Sequence, residues 1–193
     1  TTNPNPEAYR DAWSARIGAR AERTLGPGTL VLTPYAHSQS MIFSQHFLPN
    51  GGVEKNGHTG GGMMARYGWQ ASDALALRIG ADVDAASGYL KEIQPDPFGF
   101  FPGDARFPQG VHYDYTVDTT VLALWGEAEF VLGNNVSVLA GLRGETHDYD
   151  YSTDAPVGIN GRFNVTADRS DSFDLLTPKL GLIWSPGEVS YYV

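Results

Sequence analysis

Apolar and polar residues alternate at every second position along most of this chain, and this alternation constrains the fold more than any other feature. In residues 136–142, apolar side chains from Val136 to Leu142 alternate with polar or small ones. This two-residue period is typical of a β-strand with one apolar face and one polar face. The extended pattern continues through 147–151 after the apolar stripe has ended. The strand is therefore expected to run beyond the layer that covers its apolar face.

The same alternation divides the chain into about eight extended segments, joined by connections of two kinds. The segments predicted as strands are 13–22, 29–43, 57–69, 75–93, 111–132, 136–152, 172–185 and 189–193. Short turns at 25–28, 70–73 and 133–135 alternate along the chain with long loops at 44–56, 94–110 and 153–171. Several segments are far longer than the roughly 5–6 residues of a typical strand. Long strands, with short turns at one end and long loops at the other, indicate an up-and-down transmembrane β-barrel.

The composition excludes several other classes of protein. The chain carries 13 Lys and Arg against 22 Asp and Glu, a net charge of -9, which argues against nucleic-acid binding because such proteins carry basic patches. The absence of cysteine excludes a disulfide scaffold and a thiolate metal site. No stretch approaches the ~18 apolar residues of a membrane-spanning helix. No signal peptide is recognisable at the start of the sequence.

Charge assigns the two faces of the longest segment. In 117–132 the uncharged set is assigned to lipid and consists of Thr120, Leu122, Leu124, Gly126, Ala128, Phe130 and Leu132. The other set contains Glu127 and Glu129 and is assigned to the interior, although Trp125 on that side does not fit neatly. Pro34 and Pro178 lie inside predicted strands, where they indicate bulges, strand ends or an error in the predicted register.

Five segments, in this order, resemble successive barrel segments of the TonB-dependent outer-membrane receptors. They are LTPYAHSQSMIFSQHFLPNGGVEKNGHTGGG, GADVDAASGYLKEIQPDP, GVHYDYTVD, AGLRGETHDYDY and DSFDLLTPKLGLIWSPGEVSYYV. The pieces GLRGE and TPKLGLIWSPGEVSYYV are the most similar to strands common across that family. The resemblance covers nearly the whole chain.

The resemblance implies a barrel of about 22 strands with a plugged lumen, in the bacterial outer membrane. Such receptors import scarce ligands such as ferric siderophores, cobalamin or saccharides, using energy passed through TonB from an inner-membrane complex. Neither a plug domain nor the motif that contacts TonB is recognisable. Residues 1–193 are therefore expected to be a partial barrel domain of about eight meander strands, with the plug domain and remaining strands absent. The expected partners are membrane lipid, a small molecule such as a metal chelate, and TonB through the plug.

Candidate ligand-binding residues lie at the long-loop ends of the predicted strands. The charged and aromatic candidates are Tyr89, Glu92, His112, Tyr113, Arg143, Glu145, His147 and Tyr149. The loop 96–107 adds Phe98, Phe100 and Phe101, which with Phe107 would form a costly exposed apolar patch unless they contact a ligand, lipid headgroups or another loop. With Tyr115 and Tyr151 at neighbouring strand ends, these residues predict an aromatic vestibule that faces a ligand. The competing interpretation is packing of one loop on another.

No motif in the sequence predicts catalysis, a cofactor or a metal centre. The acidic run from Asp148 lacks the glycine and glutamate of a helix–loop–helix calcium site, because Thr153 and Ile159 occupy those positions. No zinc spacing of histidines and no nucleophile motif is present. His112 with Asp114, and Glu145 with His147, are predicted to share strand faces, where they bind a ligand or simply face water. The chain is therefore expected not to be an enzyme.

Two other interpretations remain open at this point. One is a self-contained eight-stranded outer-membrane barrel with a structural or adhesive role. The other is a soluble β-sandwich that serves as a binding module. A sandwich requires apolar residues such as Leu75, Ile79 and Val138 to be buried against a second layer, whereas a membrane barrel leaves them on the surface of a single sheet.

Overall fold

The computed structural model describes residues 8–44, 51–97, 104–133 and 135–193, and all helix or strand elements in these ranges are β-strands. The strands are β1 (Arg10–Gly18), β2 (Ala21–Leu25), β3 (Gly28–Ser44), β4 (Val53–Ser72), β5 (Leu75–Gln94), β6 (Gly110–Gly133), β7 (Val136–Thr153), β8 (Gly158–Asn160), β9 (Phe163–Val165), β10 (Arg169–Trp184) and β11 (Tyr191–Tyr192). The predicted all-β class is confirmed. Within the same ranges, no helix has the length and apolar character needed to cross a membrane.

One antiparallel sheet contains all the long strands, in the order β1-β3-β4-β5-β6-β7-β10-β11. β1 and β2 both pair with β3, as one strand interrupted at residues 19–20. β8 and β9 form a separate small hairpin inside the connection from β7 to β10. No pairing within the described ranges joins β1 to β10 or β11, so the sheet is open. The predicted antiparallel meander of about eight strands is confirmed.

The two ends of the sheet differ as the loop lengths predicted. The turns at 26–27, 73–74 and 134–135 form the short-turn end, and the connections 45–52, 95–109 and 154–168 leave from the long-loop end. At the short-turn end, Gly133 and Asn135 have positive φ values of 89° and 64°, which a tight connection between antiparallel strands requires.

Strand β4 extends beyond the predicted segment 57–69 at both ends, and the glycine run inside that segment does not interrupt it. Gly61 pairs with Ala36 on one side and with Ala85 on the other, and these small residues leave the ladders unbroken. The tyrosine ring of Tyr35 lies so close to Gly62 that a Cβ on that glycine would be 2.7 Å from its hydroxyl oxygen. An aromatic ring of a neighbouring strand therefore supplies the packing that Gly62 lacks.

The register places the apolar stripes of all long strands on one surface, here called the apolar face. Ile79 pairs with Gly126, and Gly126 pairs with Leu142, so these three strands present their stripes together. Exposed large apolar side chains on this face are Trp13, Ile17, Met63, Ile79, Val83, Leu122, Leu124, Phe130, Leu132, Leu142, Leu176, Leu180, Leu182 and Trp184. The even set of 117–132 lies on this face, and Glu127 and Glu129 lie on the opposite one, here called the polar face.

No second layer covers the apolar face in the described ranges. Leu124 is 71% exposed and Ile79 51% exposed. Among the described residues, the buried apolar ones are Val31, Phe107, Ala123, Ala155, Phe163 and Val165. A sandwich would bury its apolar stripes against another sheet, so the sandwich interpretation is wrong. A single sheet with one exposed apolar face needs an apolar surrounding such as lipid.

The sequence suggested that the strand prolines mark bulges or strand ends. Pro178 marks neither, whereas Pro34 lies opposite the interruption that ends β1. Pro34 pairs with Met63 and lies beside the interruption between β1 and β2, where its carbonyl accepts a hydrogen bond from Ala19 N at 3.0 Å. Pro178 pairs with Leu142. Leu182, four residues on, directs its N–H and C=O away from β7 to Val193. The nitrogen of Pro178 therefore points to the same open side, where no hydrogen bond to β7 is lost.

Candidate functional site

The polar face carries two networks of paired charges. Near the middle of the strands, Arg143 contacts Asp82 of β5 and donates from Nε to Glu145 Oε2 at 2.6 Å. His147 Nε2 lies 3.3 Å from the other oxygen of Glu145. Since Arg143, Glu145 and His147 are two residues apart on β7, the strand period places all three on one face. The predicted pairing of Glu145 with His147 is therefore part of a longer chain of charges.

A second network lies nearer the short-turn end. Arg78 donates to Glu127 at 2.8 Å and to Glu129 at 3.0 Å, and Lys179 reaches Glu127 at 2.8 Å. Both carboxylates are therefore ion-paired, and their contacts link neighbouring strands of the sheet. A carboxylate whose oxygens accept from arginine and lysine is a poor general base.

An aromatic strip continues the polar face towards the long-loop end. His147 stacks with Tyr149 at 6.4 Å between ring centroids, and Tyr149 meets Phe173 of β10 edge-on at 6.0 Å. Tyr115 lies 5.1 Å from Tyr151 and 6.5 Å from Tyr113. Tyr113, Tyr115, Tyr149 and Tyr151 therefore line one surface on adjacent strands. That these rings face a ligand, as the predicted vestibule requires, stays a prediction.

Tyr115 is a half-buried ring of this strip. Burial is the main reason that the pKa of Tyr115 is raised above its ordinary value, with Tyr151 and Glu54 adding to the effect. The phenol therefore stays protonated and available as a hydrogen-bond donor at neutral pH.

Tyr89 does not belong to this surface. It lies on the apolar face, because it is an even number of residues from Ile79 and Val83 and pairs with Gly57 of β4. A Cβ on Gly57 would be 3.0 Å from Tyr89 Cε1, so the ring covers that glycine. Its place, beyond the apolar stripe at the long-loop end, is that of an interfacial tyrosine.

Glu92 and His112 are buried where two loops meet. This loop junction is formed by residues 104–109, the β8–β9 hairpin and the adjoining ends of β5 and β6. The polar residues buried in the described ranges are Glu92, Gln94, Asp104 and His112, and all of them lie at the junction. His112 is the extra residue where the pairing of β5 with β6 shifts, and it bonds Glu92, whereas Asp114 pairs with Lys91. His112 and Asp114 therefore do not act as a pair.

The aromatic loop is described only in part. Phe98, Phe100 and Phe101 lie outside the described residues. Phe107 of the same loop is 5% exposed, with the guanidinium carbon of Arg162 5.4 Å from its ring centroid. At Phe107, therefore, one loop packs on another.

The described residues contain no group of three or more His, Asp or Glu side chains arranged to hold a metal ion. The rings of His37 and His58 approach each other edge-on on the polar face, with 5.0 Å between their centroids, but two side chains do not make up such a group. Asp150, from the acidic run of β7, instead accepts a hydrogen bond from Ser170.

Sequence reasoning missed several members of these clusters. Asp82 meets Arg143 across two ladders, a contact that depends on the register of both. Phe173 joins the aromatic strip because it pairs with His147 on the neighbouring strand, which the sequence alone does not show. Phe163 and Val165 alternate after Gly161 within the third long loop, which is the only local signal for the small hairpin.

The chain is similar to known proteins at the level of family and fold. A model of the family described as TonB dependent receptor-like, beta-barrel, matches residues 3–192. No curated protein matches the chain. Among solved structures, the ferric citrate transporter FecA in its unliganded form has a TM-score of 0.66 and 11% identity, over 96% of this chain and 27% of FecA.

Two further solved structures are similar to the same extent. The ferric-catecholate import receptor Fiu from E. coli K12 has a TM-score of 0.68 and 12% identity, over 97% of this chain and 35% of Fiu. The ferric yersiniabactin uptake receptor FyuA from Yersinia pestis has a TM-score of 0.65 and 11% identity, over 99% of this chain and 29% of FyuA. At these identities the likeness shows the fold, and the chain spans between 27% and 35% of these structures.

Proposed function

The chain belongs to the TonB-dependent receptor-like β-barrel family, and on that premise we propose that it forms part of the wall of an outer-membrane receptor. The receptor binds a scarce nutrient outside the cell and imports it. Its work is transport. The net charge of -9 argues against nucleic acid as a partner.

The observation that carries this proposal is the division of the sheet into two chemically different faces. On β6 the apolar stripe runs from Leu122 to Leu132. That length matches the roughly 9–11 residues that a tilted strand needs to cross a bilayer. The rest of the 24-residue strand, towards Gly110, extends past the stripe on the long-loop side. Lipid covers the first part, and the second part stands in water.

The strands of this chain would then form about eight neighbouring members of a larger barrel. The described sheet ends at β1 and β2 on one side and at β10 and β11 on the other, and the solved structures that it resembles are about three times as long. The polar face, with its two charge networks, would line the lumen and meet the plug domain. That domain, outside these residues, would contact TonB.

We assign ligand contact to the aromatic strip and the charges beside it. Arg143, Glu145, His147 and Tyr149 lie in one row on the polar face, and Tyr113 extends the row on β6. Aromatic faces hold flat or apolar groups, while arginine binds carboxylate and catecholate oxygens. A ferric chelate combines these features, and the names of FecA, Fiu and FyuA describe transport of such iron compounds.

The test is binding and uptake by the complete receptor against iron chelates, cobalamin and oligosaccharides. We expect saturable binding of an iron chelate, with uptake lost and binding kept when TonB is deleted. Tyr149→Ala should weaken binding by about tenfold through loss of one aromatic contact. Asp148→Ala is the matched control, because that side chain is one residue away on the opposite face. Equal binding by both variants would contradict the assigned site. Binding of cobalamin or an oligosaccharide, without binding of an iron chelate, would contradict the proposed ligand class.

Extraction tests the membrane location separately from the ligand. A membrane barrel requires detergent for release and migrates differently on gels before and after heating. Recovery of the complete protein in the aqueous fraction would contradict the location, whatever it binds.

A further inference from the structure

We propose that His37 and His58 together bind the metal ion of a chelate, through coordination positions that the chelate leaves open. The two rings meet edge-on on the polar face, with 5.0 Å between their centroids and an angle of 79° between their planes. The ligand class is a negatively charged chelate of Cu²⁺, Ni²⁺ or Zn²⁺. The inference rests on the proposed function, because it assigns one more contact to the same ligand site, and it adds chelates of divalent metals to the ligands.

The strand register brings the two histidines together. His37 of β3 pairs with Gly60 of β4, and Gln39 pairs with His58, so the histidines are diagonal neighbours on adjacent strands. Aromatic side chains reach each other across such a diagonal. Both histidines are half-buried, and among the described residues neither side chain has a hydrogen bond or an ion pair. Their ring nitrogens are therefore available to a ligand.

The spacing of the two rings matches coordination of one ion by both. A metal–nitrogen bond of about 2.0–2.1 Å places the ion about 3.2 Å from the centroid of an imidazole ring, so two rings that meet at the ion at about 90–110° have centroids about 4.5–5.2 Å apart. The observed 5.0 Å lies within this interval. Because χ2 of histidine is a broad torsion, the rings can turn a nitrogen towards the ion without a change in the backbone.

Tyr35 holds the His37 ring in place. The two rings are stacked, with 6.3 Å between their centroids and 13° between their planes. The Tyr35 hydroxyl donates to Asp84 of β5, and the ring lies against Gly62 of β4. A metal ligand that is already positioned by its neighbours loses little side-chain freedom when the ion binds.

The histidine pair faces the aromatic strip across a floor of small side chains. On the polar face, the rows of paired residues that begin at His37 and His58 end at Tyr149 and Tyr151 of β7. The residues between them on β4, β5 and β6 are Gly60, Ala86, Gly88, Val117 and Thr119. Since neighbouring strands are about 4.8 Å apart, the floor from β4 to β7 spans about 14 Å. A metal chelate fits here with its metal at the histidines and its organic part at the tyrosines.

The donor pair and the charge beside it define the chelate. Imidazole nitrogen suits Cu²⁺, Ni²⁺ and Zn²⁺. Two histidines do not complete the coordination of such an ion, so its other ligands must arrive with it. Arg16 of β1 pairs with His37 on the same face, where its positive charge opposes a bare cation and attracts carboxylate oxygens. A chelate with a net negative charge therefore matches both the histidines and the arginine.

Binding of small nickel chelates by the complete receptor, without a polyhistidine tag, tests the pair. Ni²⁺–nitrilotriacetate leaves two adjacent coordination positions open and carries one negative charge. We expect saturable binding in titration calorimetry, weakened about tenfold by His37→Gln and by His58→Gln. Ser38→Ala is the matched control, because that side chain is one residue from His37 on the opposite face, and it should bind as the wild type does. Unchanged affinity in either histidine variant would overturn the proposal.

Electron paramagnetic resonance of Cu²⁺–iminodiacetate on the same receptor observes the coordination directly. We expect a signal split by two imidazole nitrogens in the wild type and its loss in each histidine variant. Absence of this signal from the wild type would overturn the proposal even if a variant failed to fold. Its persistence in both variants would do the same.

Arg16→Gln tests the preferred charge of the chelate. We expect it to weaken binding of Ni²⁺–nitrilotriacetate about threefold and to leave binding of the neutral Ni²⁺–iminodiacetate unchanged. Wild-type affinity of Arg16→Gln for both chelates would overturn the preference for a negative charge. These probes contain no aromatic group, whereas Tyr149→Ala with iron chelates tests the aromatic strip, so the histidine pair and the proposed function can fail separately.

Discussion

The indole ring of Trp125 lies over Gly80, its partner on the neighbouring strand, so that a Cβ on Gly80 would collide with the ring atoms Cε2 and Cζ2. This contact explains why an aromatic residue occupies the polar face between charged neighbours. The glycine makes room for the ring, and the ring covers the glycine. Trp125, which did not fit the face assigned from charge, is therefore a packing residue of the wall.

Replacement of Gly80 should destabilise the sheet more than replacement of a glycine on the other face. Gly80→Val must displace the indole, and overpacking of this kind costs about 1–3 kcal/mol. Gly126→Val is the control, because the nearest atoms to a Cβ there, Arg78 O and Ile79 Cγ2, are 4.0 Å away. Urea unfolding of the receptor in vesicles measures the difference. Equal losses of unfolding free energy in both variants would contradict the role assigned to Trp125.

A charge on the apolar face should be far more harmful than the same charge on the polar face. Ile79→Arg places a guanidinium near the middle of the lipid-covered stripe, where arginine costs about 2–4 kcal/mol. Ala76→Arg, three residues away, lies on the polar face beside Glu129. We expect Ile79→Arg to reduce assembly into the membrane, measured as the heat-modifiable fraction, while Ala76→Arg assembles normally. Similar assembly of both variants would argue against lipid on this face.

Removal of Arg143 should uncouple the network that it joins. Arg143→Met leaves Asp82 and Glu145 without their shared cation, and we expect a loss of about 1–3 kcal/mol in unfolding free energy. Arg20→Met removes a pair with Glu22 whose side chains are more than half exposed, and should change stability by less than about 1 kcal/mol. A double-mutant cycle with Asp82→Asn measures the coupling. A coupling free energy of zero would show that the ion pair contributes nothing to the wall.

Asp171 should titrate below the usual range for an aspartate. Hydrogen bonds from Arg169 Nε and Nη2, at 2.6 and 2.7 Å, lower the pKa of Asp171, which lies beyond the apolar stripe at the long-loop end of β10. A depressed pKa stabilises the folded state above the unfolded pKa of about 3.9, and this contribution is lost as pH falls through the folded value.

Carboxyl NMR on Arg169→Gln measures the effect directly. We expect the midpoint of Asp171 to rise towards its ordinary value in this variant. Ser170→Ala, which removes a hydrogen bond to Asp150 instead, should leave the Asp171 midpoint in place. An unchanged midpoint in Arg169→Gln would show that another group lowers the pKa.

The local sequence is sufficient to predict the long strands and the face of the sheet on which each side chain lies. Alternation from Leu75 to Val83 and from Val136 to Leu142 predicts both, because the side-chain period of a strand is fixed at two. The same counting places Tyr89 on the apolar face with Ile79, although its position at a strand end suggested the vestibule. That error arose from position along the strand and could have been avoided by parity.

Contacts across several strands could not be predicted in the same way. The meeting of Asp82 with Arg143 depends on the register of two ladders, and a shift of one residue in either would separate them. The burial of His112 under Phe163 depends on a three-residue hairpin strand that is too short to show a period. Chain segments that fold on one another outside the sheet leave little pattern in the sequence.

Pro178 has a consequence for whatever covers the open side of β10. Its nitrogen points to that side and cannot donate, and it lies within the apolar stripe between Leu176 and Leu180. A strand added there would have one carbonyl oxygen with no donor opposite it, in surroundings without water, at a cost of several kcal/mol. The added strand must therefore carry a bulge opposite Pro178 or bring a side-chain donor to that carbonyl. The pyrrolidine ring of Pro178 thus determines where the pairing between β10 and its next neighbour must be irregular.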